Sequence, residues 1–132
     1  MTELDVVLTD YLVSTLSLVF AVHFLRGTRT SLYHLLWIGY FASVALGAFL
    51  GGTVHGFHLY FDISLAWLFT LLSLGVASSC GWVLLGYYLN TQQIKKWIYA
   101  SALIFILYSL CIYCLYSSFI LCGYCQLYGD AY

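Results

Sequence analysis

One carboxylate and two imidazoles are the side chains of this sequence best suited to metal chemistry. Asp10 falls inside the first apolar stretch, and His55 and His58 fall near the end of the second. The i, i+3 spacing of the histidines places both on one face of a helix. Imidazole and carboxylate are normal zinc ligands, and a hydrolytic zinc site needs three protein ligands and one open position for water. Asp10, His55 and His58 therefore form a candidate zinc site.

A simpler interpretation of the same residues requires no metal. His55 and His58 would be residues at the membrane interface, and Asp10 would hydrogen-bond to one of them and close the helix ends. Ser14 and Ser17 follow Asp10 at i+4 and i+7, so the three residues predict a polar stripe that points into a helical bundle. Ionisable groups inside a membrane are expected to be functional by default, which keeps the metal or proton hypothesis open.

A second pair of histidines, His23 and His34, falls at the adjoining ends of the first two apolar stretches. Two histidines on different helices can ligate a haem iron, and one can hold the magnesium of a (bacterio)chlorophyll. Aromatic residues make up 20% of the chain, which suits a pigment or haem site. The same aromatic content is typical of residues that contact lipid.

Four of the five cysteines form two C-x-x-C pairs in the last apolar stretch. The pairs are eleven residues apart, or about 16 Å along a helix, so they cannot converge on one metal. Cys111 and Cys114 are interpreted as small packing residues. Cys122 and Cys125 flank a glycine near the end of the stretch, where they could form a disulfide if that side of the membrane is oxidising.

The composition indicates which elements position these residues. Hydrophobic residues make up 64% of the 132 residues and charged residues only 7%, against about 25% charged in ordinary soluble domains. Lipid can cover apolar surface that a small soluble core cannot. A formal net charge of −1 and the absence of any basic run exclude nucleic-acid binding.

Four segments are long and apolar enough to cross a bilayer, at about residues 6–25, 32–57, 63–89 and 97–122. The short connections between them force successive helices to lie antiparallel. The sequence therefore predicts an all-α fold, in which residues 1–132 form a single transmembrane domain built as an up-and-down four-helix bundle. Two small-xxx-small pairs in the second span, Gly47 with Gly51 and Gly52 with Gly56, mark faces where helices can pack closely.

The basic residues predict the orientation. All four of them fall in the first and third connections, as Arg26, Arg29, Lys95 and Lys96. The positive-inside rule assigns that side to the cytoplasm or its organellar equivalent, and both termini to the opposite side. This orientation groups His55 and His58 with Asp10 in one leaflet, and His23 and His34 in the other.

Two short segments resemble a group of uncharacterised multi-span membrane proteins. They are Thr9-Asp10-Tyr11 and the Gly-Gly-Thr-x-His-Gly-Phe motif formed by residues 51–57. The pattern is also distantly similar to ceramidase-like membrane hydrolases, which hold zinc with His and Asp inside a seven-helix bundle. The resemblance covers the first half of the chain and implies Asp10 and His55 as ligands. This chain departs from those hydrolases in having four predicted spans and no histidine after His58.

Three functions follow from these features. The first is a non-enzymatic accessory or structural subunit of a larger membrane complex, which contacts lipid and either other membrane subunits or further copies of itself. Small size, short connections and glycine-lined faces favour it. The second is a metal-dependent hydrolase that acts on a lipid through Asp10, His55 and His58. The third is a haem- or pigment-binding subunit that uses His23 and His34.

Overall fold

A computed structural model describes residues 3–27, 31–57, 64–89 and 93–129, with side chains described for 4–27, 31–57, 65–89 and 93–118. This part of the chain contains four α-helices and no strand. Their bounds are α1 Glu3–Leu25, α2 Leu32–Phe57, α3 Ser64–Leu89 and α4 Ile94–Gly129. Each helix contains a segment long and apolar enough to cross a membrane. The prediction of an all-α membrane protein with four helices is confirmed.

Helices form because the hydrocarbon region offers the backbone no water to hydrogen-bond, and an α-helix satisfies its own amides and carbonyls. The chain has no proline to interrupt them. The bounds of α2 match the predicted 32–57, but α4 is longer than the predicted 97–122. Apolar composition marks only the part of a helix that lies in hydrocarbon. The backbone of α4 continues as a helix on both sides of that part. The whole helix has 36 residues and is about 54 Å long.

Successive helices are antiparallel. Tyr11 meets Thr53 at one end of the α1–α2 pair, and Phe24 meets Trp37 at the other. The α2–α3 pair has the same sense, since the ring of His55 lies beside Trp67 and the ring of Tyr33 lies beside that of Tyr87. In the α3–α4 pair, Trp82 stacks on Trp97, while Tyr108 reaches back to Leu71. The predicted up-and-down order is therefore observed.

The bundle is open rather than closed. Each helix packs against its neighbours in the chain, and among the described residues no Cα of α1 lies within 8 Å of α3 or α4. Helix α4 likewise meets α3 alone over the same residues. In the most apolar segments of α1 and α4, only 11% of the residues are buried, against 22% in α2 and 33% in α3. Helices α1 and α4 are thus the two edges of a row.

Small side chains form most of the interior. The buried apolar residues include Ala21, Ala45, Val54, Ala77 and Val83. Two hydroxyl groups of α3 in the interior are satisfied by their own helix. Thr70 donates to the carbonyl of Ala66, and Ser73 to that of Phe69, both at 2.8 Å. This pattern leaves few polar groups in need of a partner on a neighbouring helix.

Candidate functional site

Asp10 lies in α1, on the face that packs against α2. Because α1 begins at Glu3, Asp10 is seven residues into the helix, or about 10 Å from its start. The predicted span began near residue 6, so Asp10 lies further into the helix than the sequence indicated. The same face continues to Ser14 and Ser17, which are only 9% and 8% exposed. The polar stripe that the sequence predicted does point into the interior.

Two glycines of α2 make room for this carboxylate. A Cβ atom at Gly52 would lie 3.1 Å from the Cβ of Asp10, and one at Gly51 would lie 3.3 Å from its Oδ2. Both distances are tighter than ordinary Cβ contacts. Any other residue at either position would have to displace Asp10 or separate the two helices. Gly51 and Gly52 therefore provide the space that the Asp10 side chain occupies against α2.

A third helix reaches the same level. The Cγ2 methyl of Thr70, on α3, lies 3.8 Å from the position that a Cβ of Gly51 would occupy. Thr70 is buried, and its hydroxyl is already engaged with its own helix. Asp10, Gly51, Gly52 and Thr70 are called the Asp10 site below. It lies on α2, where Asp10 of α1 and Thr70 of α3 approach the same glycine.

Two hydrogen bonds fix α1 against α2 just after Asp10 in the helix. The Ser14 hydroxyl donates to the carbonyl of Ala45 at 2.8 Å. The Tyr11 hydroxyl lies 3.3 Å from Oγ1 of Thr53. Since Thr53 uses its own proton to donate to the carbonyl of Phe49, Tyr11 is the donor in this pair. The position of the Asp10 backbone is therefore set by hydrogen bonds from the residues one and four positions after it.

The Asp10 carboxylate has no protein partner in the part of the chain that the structure describes, since neither a hydrogen bond nor an ion pair reaches it there. A polar group placed in an apolar medium without a partner is costly, and the cost is larger for a charge. Gly51 and Gly52 of α2 lie against it, and the methyl group of Thr70 approaches Gly51. This arrangement leaves the carboxylate able to bind a cation or a donor group.

His55 lies one helical turn beyond Gly51, in the same half of the molecule as Asp10. Its ring meets the indole of Trp67 edge to face, with centroids 5.7 Å apart, so His55 faces α3. His58 and Asp62 lie outside the described residues. Within the described residues no three His, Cys, Asp or Glu side chains are grouped closely enough to hold a metal. The zinc site of Asp10, His55 and His58 therefore stays a prediction.

His23 and His34 lie at the opposite end of the α1–α2 pair. Each has its ring beside that of Phe24, with centroids 6.0 and 6.1 Å away. Nδ1 of His34 is 3.0 Å from Oγ of Ser31, which leaves Nε2 as the ring nitrogen open to a ligand. His23 is exposed and lines a shallow hollow with Arg26. A haem or pigment ligated by these histidines stays a prediction.

Two cysteines of α4, Cys111 and Cys114, form no disulfide and are exposed on that helix. The side chains of Cys122 and Cys125 lie outside the described ones, so their disulfide stays a prediction. The sequence marks Thr70 as a small packing residue of its span, but it does not assign Thr70 to the Asp10 site. The pairing of Gly51 and Gly52 with Asp10 was also missed, because it depends on the register between α1 and α2.

Four antiparallel apolar helices with a carboxylate between them define a polytopic α-helical membrane protein. The chain belongs to a family of unknown function, DUF6962, whose family model matches residues 6–130. The resemblance to an uncharacterised family is thereby confirmed. No curated protein and no solved structure matches the chain.

Proposed function

We propose that this protein is an accessory or structural subunit of a larger membrane complex. The observation that carries the proposal is the open row of helices, in which α1 packs only against α2, and α4 only against α3, over the described residues. Both edge helices keep most of their surface outside the molecule. Other membrane-spanning helices packed on these edges would complete the bundle.

The connections between helices support a role inside the membrane. The helix bounds leave six, six and four residues between successive helices, at 26–31, 58–63 and 90–93. Segments of this length provide little surface outside the bilayer on which a soluble substrate could be recognised. Interactions within the membrane plane are therefore the main way in which this protein can engage a partner.

Site-specific photo-crosslinking in native membranes tests this proposal. A photoreactive amino acid replaces Leu16 on α1 or Leu107 on α4, both exposed on edge helices, and Leu46 on α2 is the matched control. We expect crosslinks to other polypeptides from the two edge positions and crosslinks to lipid alone from Leu46. Labelling of lipid alone at all three positions would contradict the proposal.

The basic residues at the helix ends indicate an orientation in the membrane. Arg26 follows α1 and Lys95 and Lys96 lie in the first turn of α4, so the three are at one end of the row. We propose that this end faces the cytoplasm or its equivalent, and that both termini are on the opposite side.

A second candidate function is a metal-dependent membrane hydrolase that acts on a lipid. The unpartnered carboxylate of the Asp10 site favours it, because such a group can bind a cation. Asp10, His55 and His58 would be the ligands, in the manner of the ceramidase-like hydrolases, and metal-bound water would be the nucleophile. Those hydrolases have seven helices, so another subunit would contribute the remaining part of the site.

Zinc content measured on the purified protein tests this second candidate. Asp10→Asn is compared with Asp5→Asn, which changes another acid of the same helix. We expect zinc in the wild-type protein and in the Asp5 variant, and its loss in the Asp10 variant. Equal zinc content in all three proteins, or none in the wild type, would exclude Asp10 as a ligand.

A further inference from the structure

An open groove of about 590 Å³ runs between α2 and α3 at the basic end of the molecule. It lies far from the Asp10 site along both helices. Its volume is within the range of ordinary ligand sites. Residues from the first nine positions of α2 and the last nine of α3 line it, chiefly Tyr33, Trp37, Tyr40, Gly81, Tyr87 and Tyr88.

The groove has a polar rim and an apolar floor. The rings of Tyr33 and Tyr87 lie 5.4 Å apart near the helix ends, so their phenol groups belong to the rim. Gly81 lies deeper, where a Cβ atom would be no closer than 3.7 Å to the ring of Tyr40. Tyr33 and Tyr40 are about 10 Å apart along α2. An elongated molecule with an apolar tail and a polar head would match this arrangement.

Three basic residues lie at the same end of the molecule as the groove. Arg26 follows α1, and Lys95 and Lys96 lie in the first turn of α4, so they belong to the two helices that flank α2 and α3. The described acids near the membrane, Asp5 and Asp10, lie towards the other end of α1. Basic clusters beside grooves between membrane helices attract anionic lipid head groups.

We propose that this groove binds an anionic phospholipid. One acyl chain lies along Trp37, Tyr40 and Gly81, and the phosphate is held at the rim by phenol hydroxyls and the flanking basic side chains. Charge complementarity selects an anionic lipid over a zwitterionic one of the same chain length. The proposal does not depend on the subunit role or on the Asp10 site.

Native mass spectrometry of the detergent-solubilised full chain tests the proposal. The protein is mixed with equal amounts of a phosphatidylglycerol and a phosphatidylcholine that carry the same acyl chains. We expect the first bound complex to favour phosphatidylglycerol by at least about fivefold, since each basic residue near the surface contributes about that factor. No preference, or a preference for phosphatidylcholine, would overturn the proposal.

Two variants separate the tail contact from the head-group contact. Gly81→Leu fills the floor of the groove, where there is open space for a side chain, and should reduce binding of both lipids at least about fivefold. Ala102→Leu, at an exposed position on α4 away from the groove, is the matched control and should bind as the wild type does. The double variant Lys95→Gln/Lys96→Gln should keep lipid binding and reduce the preference for phosphatidylglycerol.

Unchanged binding in Gly81→Leu would show that the lipid binds elsewhere and would overturn the assignment of the groove. An unchanged preference in the double lysine variant would overturn the assignment of the head group. Retained helical circular dichroism and an unchanged elution volume establish that the variants are folded. If Gly81→Leu does not fold, Tyr33→Leu/Tyr87→Leu gives the second measurement, because it removes the rim phenols without adding volume.

Discussion

At the level of single residues, Asp10 and the two glycines opposite it define how α1 meets α2. A Cβ atom added at Gly51 would come closest to the carboxylate Oδ2 of Asp10, whereas one added at Gly52 would come closest to the Asp10 Cβ. The two glycines therefore respond differently to truncation of Asp10. That difference can show whether the Asp10 carboxylate, or the backbone of α1 around it, is what crowds each glycine.

The first prediction is a pair of double-mutant cycles. Gly51→Ala and Gly52→Ala should each lower the free energy of unfolding by about 1–3 kcal/mol, the usual cost of overpacking. Asp10→Ala removes Oδ2 and keeps Cβ, so it should relieve most of the cost at Gly51 and little of the cost at Gly52. Reversible unfolding in mixed micelles with increasing sodium dodecyl sulfate measures each value. Equal relief at both glycines would contradict the described register.

The second prediction concerns the carboxylate itself. Asp10→Asn keeps the shape of the side chain and removes its capacity for negative charge. A central carboxylate costs about 2.5–3.5 kcal/mol on membrane-insertion scales, and no described side chain offsets that cost. We expect the free energy of unfolding to stay the same or to rise by about 1 kcal/mol, measured by the same micelle titration. A loss larger than about 1 kcal/mol would show that Asp10 holds the fold together.

The sequence was sufficient to place Asp10 in a span and to predict that Ser14 and Ser17 share its face, because both follow from helical periodicity alone. It was not sufficient to pair Asp10 with Gly51 and Gly52. That pairing depends on the register between two helices, and several glycines of α2 are equally compatible with close packing. The side-chain hydrogen bond from Tyr11 to Thr53 could not be predicted for the same reason.

At the level of helices, α4 depends on two glycines of α3. A Cβ atom at Gly75 would lie 2.6 Å from Cε1 of Tyr108, and one at Gly86 would overlap the ring system of Trp97. Tyr108 cannot easily move aside, because its hydroxyl donates to the carbonyl of Leu71 at 3.0 Å. The absence of side chains at these positions lets α4 dock on α3.

The third prediction is that Gly75→Ala weakens the α3–α4 contact. We expect a loss of about 1–3 kcal/mol in the free energy of unfolding, because the added methyl group overpacks against the Tyr108 ring. Gly81→Ala is the matched control on the same helix, where the added methyl meets only ordinary contact distances, and it should be close to neutral. Equal effects of the two substitutions would contradict the described packing of α4.

The number, order and approximate bounds of the helices followed from the sequence because apolar length is a strong signal in a membrane protein. The arrangement of the four helices in an open row could not be predicted from the sequence. A lipid-facing residue and a residue between helices are equally apolar, since lipid tails are as apolar as leucine. Apolar residues on α1 and α4 therefore cannot indicate whether the two helices meet each other.

At the level of the whole molecule, the charges predict how it lies in the membrane. The fourth prediction uses a cysteine-free variant into which one cysteine is introduced at a time, at Asp5 or at Lys96. These positions lie at opposite ends of the row. A membrane-impermeant maleimide applied to intact cells should label Asp5→Cys directly and Lys96→Cys only after permeabilisation. The reverse pattern would overturn the orientation.

The open row is the feature from which the proposed role derives, and it has a direct consequence for the state of the protein in its own membrane. A subunit whose edge helices are covered by other helices should leave the membrane together with its partners. Disruption of the edges, rather than of the Asp10 site, should then release it.

The most direct test is the mass and composition of the particle extracted from native membranes with a copolymer that keeps the surrounding lipid. The chain alone has a mass of 14.9 kDa. The proposed role predicts a larger particle that contains at least one other polypeptide in a fixed ratio. A homogeneous particle that contains only this chain and lipid, whether in one copy or several, would contradict it.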